Sequence, residues 1–326
     1  MLFLNEDAAD RVGIKPILNP IFFDLYKTGL KSLWFVEDIS LAEDVRQWHT
    51  PGLISEPLKH FIKRILAFFH GADKMVAENI SINFVSEVPI LEAQFFYRLQ
   101  AANEDIHSET YSTLVDAFIT DPIEKASIFN AVNDMDVIKA KTDWVKKYSD
   151  SSKASLPTRL VAMAVVEGVF FSGSFCAIFY IRDLGLMPGL CHSNDYISRD
   201  EGQHCQAACM VLDRLLPNER LPVESVHAIF AEAVEIECKF ITEAIPVSMI
   251  GMNSELMIQY VRFIADYWLA YMKYPALYNA RNPFVFMNTI AIQRKNNFFE
   301  RKVSEYVRAN VGAPEKARAF GIDEEF

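Results

Sequence analysis

Leu160 to Ile181 reads LVAMAVVEGVFFSGSFCAIFYI, 22 residues with a single charge, Glu167, and with Arg159 and Arg182 at its flanks. By length alone the stretch could cross a bilayer. Its centre, however, carries Glu167: an isolated carboxylate is costly in lipid and equally costly in a dry protein core without a partner. No second apolar run of this kind occurs in the chain. The stretch therefore reads as a helix at the middle of a soluble bundle, where something must neutralise Glu167.

Helical patterns extend outward from this segment. Pro157 suits a helix start, and Gly185 with Pro188-Gly189 marks its end. On the N-terminal side, SDSSKASLP (149–157) is a polar break, preceded by a helical pattern over about 123–148. A longer one covers about 87–119 and stops at Asp121-Pro122. From Pro57 to about Asn79, the residues Phe61, Ile62, Ile65, Leu66, Phe68 and Phe69 form an apolar stripe at three-and-four spacing. On the C-terminal side a helix is expected from Asn194 to about Leu216, stopped by Pro217, then two more over about 222–245 and 253–273. Residues 1–30 read as an irregular N-terminal segment. Residues 312–326, GAPEKARAFGIDEEF, lose the periodicity and read as a flexible tail. The expectation is one all-α domain of about eight long helices over 31–311.

Composition agrees. Of 326 residues, 51% are apolar and 23% charged, the balance of a soluble globular chain. Only 12 glycines argue against turn-rich β-sandwiches and Gly-rich phosphate loops, while 25 Phe, 12 Tyr and 11 Met imply an aromatic, helical core. A formal charge of −11 disfavours nucleic acid as a partner. Five cysteines without a paired framework favour a reducing, cytoplasmic setting, and the acids in MLFLNEDAAD argue against a secretion signal. Motifs for zinc proteases, P-loop enzymes and Ser hydrolases (HExxH, GxxxxGK[ST], GxSxG) do not occur.

The chemistry resides in two Glu-x-x-His elements, Glu104-Asp105-Ile106-His107 and Glu201-Gly202-Gln203-His204. At i and i+3 both side chains leave one helix face and can grip one metal. A single such element is weak evidence, but both lie in segments dense in apolar residues. Each is preceded by a carboxylate in an apolar helix: Asp73 lies 31 residues before Glu104, and Glu167 lies 34 before Glu201. Four helices can thus bring four carboxylates and two histidines to one point, a charge that matches two divalent cations. The set is similar to that of ferritin-like di-iron and di-manganese proteins, with Asp73 in place of one Glu. Hard oxygen and imidazole donors suit iron or manganese. Tyr111, one turn beyond His107, reads either as a core tyrosine or as one that a metal pair activating O2 could oxidise. Phe171, Phe175 and Ile197 share the ligand faces of their helices and can keep it dry. Cys205 and Cys209, four apart, read as core residues.

With these residues in view, the chain resembles the small, radical-generating subunit of class I ribonucleotide reductase, in its eukaryotic and viral branch. The resemblance is carried by SLWFVEDISL (32–41), ILAFFHGADKMVAENI (65–80), EDIHSETYS (104–112), VVEGVFFSGSF (165–175), RDLGLMPGL (182–190), SNDYISRDEGQHC (193–205), EAIPVSMIGMN (243–253) and NPFVFMNTI (282–290). It implies a ferritin-like bundle enclosing a dinuclear metal site. Asp73, Glu104, His107, Glu167, Glu201 and His204 match the metal ligands, and Tyr111 matches the radical tyrosine, with Phe171, Phe175 and Ile197 as its apolar pocket. Trp34 matches an electron-relay tryptophan and Asp200 the aspartate that links it to His107. Glu300 and Tyr306 match residues that pass the radical between subunits. The resemblance further implies two iron ions per chain with manganese possible, O2 as oxidant, a homodimer, and a large catalytic subunit docked by the C-terminal tail through Phe320, Ile322 and Phe326. Neither nucleic acid nor membrane is expected as a partner.

Three rivals make distinguishable demands. A ferritin-type iron-binding oxidase gives no use to Trp34, Tyr306 or the tail. A desaturase-like enzyme keeps the ligands but needs an acyl groove. A non-catalytic helical scaffold gives no reason for Glu167.

Overall fold

The computed structural model describes residues 11, 13–79, 83–131, 135–244 and 252–287, and of 71–79 and 244 the backbone alone. The chain divides into two units, Met1–Pro283 and Phe284–Phe326. In the second, only Phe284–Met287 are described, with the Phe284 and Phe286 rings 5.3 Å apart.

The first unit is built from helices α1 (Pro20–Lys31), α2 (Ala42–His49), α3 (Glu56–Asn79), α4 (Leu91–Phe118), α5 (Pro122–Phe129), α6 (Asp136–Ser149), α7 (Leu156–Val165), α8 (Ser172–Asp183), α9 (Pro188–Leu212), α10 (Val223–Ala244) and α11 (Ser254–Tyr271). A π turn, Val166–Phe170, joins α7 to α8, so Leu156–Asp183 forms one continuous helical run of 28 residues. Counting that run once, eight helices of twelve or more residues are described.

The apolar run within Leu156–Asp183 is almost wholly buried inside the bundle and is a core helix. Ser155 caps its start by accepting the Thr158 backbone N–H, with Pro157 in the first turn. Gly185, at φ +70°, turns the chain at the other end. The helices around it supply the rest of the core: α3 lies along α4, α9 along α7 and α8, and α10 and α11 pack on each other and on the π turn.

Helix α9 is set in place from its first residues. Asp44 of α2 accepts the Gly189 and Leu190 backbone N–H groups, both at 2.8 Å, and Gln47 accepts that of Met187 at 2.7 Å. A carboxylate at a helix N-terminus satisfies orphan donors and meets the positive end of the helix dipole. The same contact fixes how far along its axis α9 carries Glu201 and His204.

The structure corrects two of the sequence expectations. Residues 20–30, expected to be irregular, are helical, within α1. Pro20 starts α1 at a position where its missing N–H costs nothing, and Phe22, Leu25 and Gly29 are buried at three-and-four spacing. Leu25 closes a cluster with Phe96 of α4 and Ala207 of α9. The helix expected over about 123–148 is two helices, α5 and α6. Asn130 ends the first, and the second opens at Asp136 after Met135. The tail, 312–326, lies outside the described residues, as does the end of the domain near 311.

Candidate metal centre

Three elements converge on one buried point. Helix α4 brings Glu104 and His107 on one face, the π turn brings Glu167, and α9 brings Glu201 and His204; all five side chains are at most 2% exposed. Ligand atoms of Glu104, Glu167, Glu201 and His204 lie within 4.8 Å of one another. His204 Nδ1 is 3.0 Å from both Glu104 Oε1 and Glu201 Oε2, and 3.8 Å from Glu167 Oε2. His107 Nδ1 is 3.1 Å from Glu201 Oε1 and 3.4 Å from Glu104 Oε2.

Of these contacts, that of His204 Nδ1 with Glu201 Oε2 has hydrogen-bond geometry, but much of the cluster does not. Both oxygens of Glu104, Oε2 of Glu167, Oε1 of Glu201 and Nδ1 of His107 are buried without a hydrogen bond of good geometry. Buried polar atoms are normally paired. Lone pairs that converge without donors between them fit a cation, and the carboxylate and imidazole donors fit iron or manganese.

Electrostatics tell the same story. Burial, with the charges of Glu201 and Glu104, pushes the Glu167 carboxyl well above the usual carboxylate range. Burial alone would raise Glu201 too, but its hydrogen bond with Glu167 and the two imidazoles hold it low. Burial opposes charge on the imidazoles; even so, the surrounding carboxylates raise His107 and His204 well above their ordinary value. Without a cation, the cluster is held together by protons.

Behind His107 lies a second set of contacts. Its Nε2 is 3.4 Å from Asp200 Oδ2, the same oxygen that accepts the Trp34 Nε1–H at 2.7 Å. Trp34 is buried, and its ring stacks with those of His107, at 6.0 Å, and Tyr196, at 5.1 Å. Arg199 Nη2 donates to the other Asp200 oxygen at 3.0 Å. An imidazole whose outer nitrogen faces a carboxylate is oriented for metal binding through the inner one.

Tyr111 is buried one turn beyond His107 and stacks on Phe69, centroids 4.5 Å apart. Phe69 also meets Phe171, edge-on at 5.5 Å, and Phe175, stacked at 5.3 Å. Ile197 is buried on α9.

Of the sequence candidates, the structure therefore brings together Glu104, His107, Glu167, Glu201 and His204, links Trp34 and Asp200 to them, and places Phe171 and Phe175 in the aromatic shell that holds Tyr111. Asp73 lies on the described course of α3, but its side chain is outside the described residues, as are Glu300 and Tyr306. Sequence reasoning missed Phe69 and Gln100, whose Nε2 donates to Glu167 Oε1 at 3.2 Å. Phe69 carried a usable signal: it lies four residues before Asp73, on the same helix face. The five cysteines are free, four of them buried, in keeping with core packing for Cys205 and Cys209.

Known proteins carry the same frame. The profile of the family described as "Ribonucleotide reductase, small chain" matches residues 11–283. The ribonucleoside-diphosphate reductase small chain of Trypanosoma brucei brucei is 46% identical over 324 residues, covering 99% of this chain and 95% of that one. The small chain of Nicotiana tabacum is 44% identical over 99% of this chain and 98% of its own length. Among solved structures, the Rnr4 homodimer of Saccharomyces cerevisiae superimposes with a TM-score of 0.79 at 31% identity, over 92% of this chain and 91% of that one. The R2 subunit of Clostridium botulinum, at 19% identity and a TM-score of 0.75, shares the fold over 83% of this chain and 87% of its own. Profile, near-full-length relatives and fold agree, and the chain belongs to the ribonucleotide reductase small-chain family.

Proposed function

We propose that Glu104, His107, Glu167, Glu201 and His204, with Asp73, hold a dinuclear iron centre, and that Tyr111 beside it stores the radical with which ribonucleotide reduction begins. The observation that carries this reading is the buried set of convergent carboxylate and imidazole lone pairs, one helical turn from a tyrosine in an aromatic shell. Manganese suits the same donors, and the ion supplied to the protein decides between them. When bound, redox-active ions supply the oxidising power that O2 brings to such sites.

The chain's own residues do the rest. The carboxylates neutralise the cations, and Asp200 orients His107 through its Nε2. Phe69, Phe171, Phe175 and Ile197 exclude water, so that an oxidised phenol at Tyr111 meets no reductant. Trp34, hydrogen-bonded to Asp200 and stacked on His107, is placed to pass an electron toward the site. Glu300 and Tyr306 extend the route toward a large catalytic subunit, where the ribonucleotide is reduced to deoxyribonucleotide. The C-terminal tail docks on that subunit through Phe320, Ile322 and Phe326. The working form is a cytoplasmic homodimer, as the yeast Rnr4 relative also forms a homodimer.

The test is reconstitution with Fe(II) and O2, followed by assay of ribonucleoside-diphosphate reduction with a large subunit from a related source. Activity that needs both chains and iron supports the reading. Iron uptake and O2 consumption with no reduction in any pairing would favour a ferritin-type oxidase.

A further inference from the structure

The π turn that carries Glu167 is braced by an ion pair from helices that contribute no candidate ligand. Lys141 of α6 and Glu237 of α10 are each at most 1% exposed, with Nζ and Oε2 2.5 Å apart. The ammonium lies 3.6 Å from the centroid of Phe68 and 3.8 Å from that of Phe240, a cage of two ring faces. It also donates to the backbone carbonyl of Phe170, the last residue of the π turn, at 3.0 Å.

A π turn changes the helical hydrogen-bond register and is a strained, short-lived element unless its surroundings hold it. Here the carbonyls at its C-terminal end are bonded from the side: the Ser172 hydroxyl donates to Val169 at 2.7 Å, and Lys141 donates to Phe170. Glu237 sits at the next turn, where a Cβ on Gly173 would come within 2.7 Å of its Oε1. That close approach requires a glycine and locks α10 against the start of α8.

A buried pair of charges is a poor way to add stability, since well-packed apolar residues do as well or better. Burial pushes the Lys141 ammonium down to about 8 and the Glu237 carboxyl up to about 7, even with each charge supporting the other. What the pair provides that apolar side chains cannot is a donor aimed at one backbone carbonyl, and that carbonyl ends the turn bearing Glu167.

We propose that Lys141, held by Glu237, is a positioning residue that fixes the register of the Val166–Phe170 turn, and through it the direction of Glu167 and the seating of Phe171 and Phe175. Relaxation to a regular α-helix rotates the following residues by about 100° per residue of register change, which moves Phe171 and Phe175 away from Phe69. The consequence for metal rests on the reading of Glu167 as a ligand; the effect on the turn does not.

The single change Lys141→Met leaves Glu237 buried and unpaired and is apt to unfold the chain. The informative variant is therefore Lys141→Met/Glu237→Leu in the full-length protein, compared with wild type in two measurements. The first is hydrogen exchange of backbone amides across 166–172 in the metal-free form; an increase of roughly tenfold or more there, with the exchange of α4 and α9 unchanged, is expected if the pair holds the turn. The second is Co(II) binding followed by absorbance, where a roughly tenfold loss of affinity is expected, as for loss of other supporting contacts behind a ligand. Wild-type exchange across 166–172 in the double variant overturns the proposal. So does unchanged Co(II) affinity, because Glu167 would then be directed by something else. Wild-type protein that takes up no Co(II) refutes the metal reading instead, and the exchange measurement still decides the role of the pair at the turn.

Discussion

Replacing Glu167 by Gln is expected to stabilise the metal-free protein at neutral pH while weakening its hold on metal. The Glu167 carboxyl is raised well above the usual range by burial and by the charges of Glu201 and Glu104. A group whose folded value is raised contributes stability that is fully present below its unfolded value and is lost as pH rises through the folded one. The folded metal-free protein therefore retains a proton that the unfolded chain releases. Keeping it costs ~1.4 kcal/mol for each pH unit above the ordinary carboxylate range, so the ceiling near pH 7 is about 3 kcal/mol. Gln copies the protonated form: its carbonyl still accepts from Gln100 Nε2, now 3.2 Å from Oε1, and its amide faces Glu201 where the acid proton stood. At roughly 2 °C per kcal/mol for a chain of this size, the variant melts up to about 6 °C higher. The assay is calorimetry of chelator-treated wild type and Glu167→Gln at about pH 5 and pH 7. The gap is expected to be large at the higher pH and small at the lower. A Glu167→Gln protein less stable at neutral pH, or a gap that does not change with pH, would refute the account of the cluster as held together by protons.

The same protons compete with metal. Glu167, His107 and His204 must each release one, so Fe(II) or Co(II) affinity is expected to rise steeply from about pH 6 to pH 8, with proton release seen by calorimetry in buffers of different ionisation heat. Asp200→Asn removes the anionic partner of both His107 Nε2 and Trp34 Nε1, and metal affinity should fall by about 10- to 100-fold with little change in melting. Phe69→Ala opens a cavity against Tyr111, Phe171 and Phe175; a loss of about 3–5 kcal/mol in chemical denaturation is expected, together with faster decay of any radical at Tyr111.

Much of the site was legible because its residues announce themselves locally. Glu104 and His107, like Glu201 and His204, fall at helical spacing in apolar segments, and Glu167 is the one charge in an otherwise apolar run. What stayed hidden depends on tertiary packing. The sequence VEGVF reads as ordinary helix, and nothing in it marks a π turn; that register is imposed by Lys141, Ser172 and the helices packed around it. Lys141 itself, within IKAKTDWVKK, looks like one of several surface lysines, and Glu237 like one of the acids of a solvated helix face. Their pairing across 96 positions of chain appears only when α6 meets α10. The α1 helix was missed for a related reason: its buried face is narrow, and Leu25 becomes core only when Phe96 and Ala207 arrive beside it. Gln100 and Phe69 each needed a partner far away in sequence, Glu167 and Tyr111, to acquire a role.

The central claim is that a metal pair in this cluster oxidises Tyr111, and electron paramagnetic resonance tests it directly. Purified protein is loaded with Fe(II), exposed to O2 and frozen, beside a Tyr111→Phe variant loaded identically. The change removes one oxygen atom from a ring that stacks on Phe69 at 4.5 Å, so packing and metal content should be preserved. The wild type is expected to show a sharp tyrosyl signal and the variant none, at equal iron content. A wild type that binds iron and consumes O2 without any tyrosyl signal, or a signal that persists unchanged in Tyr111→Phe, would contradict the account.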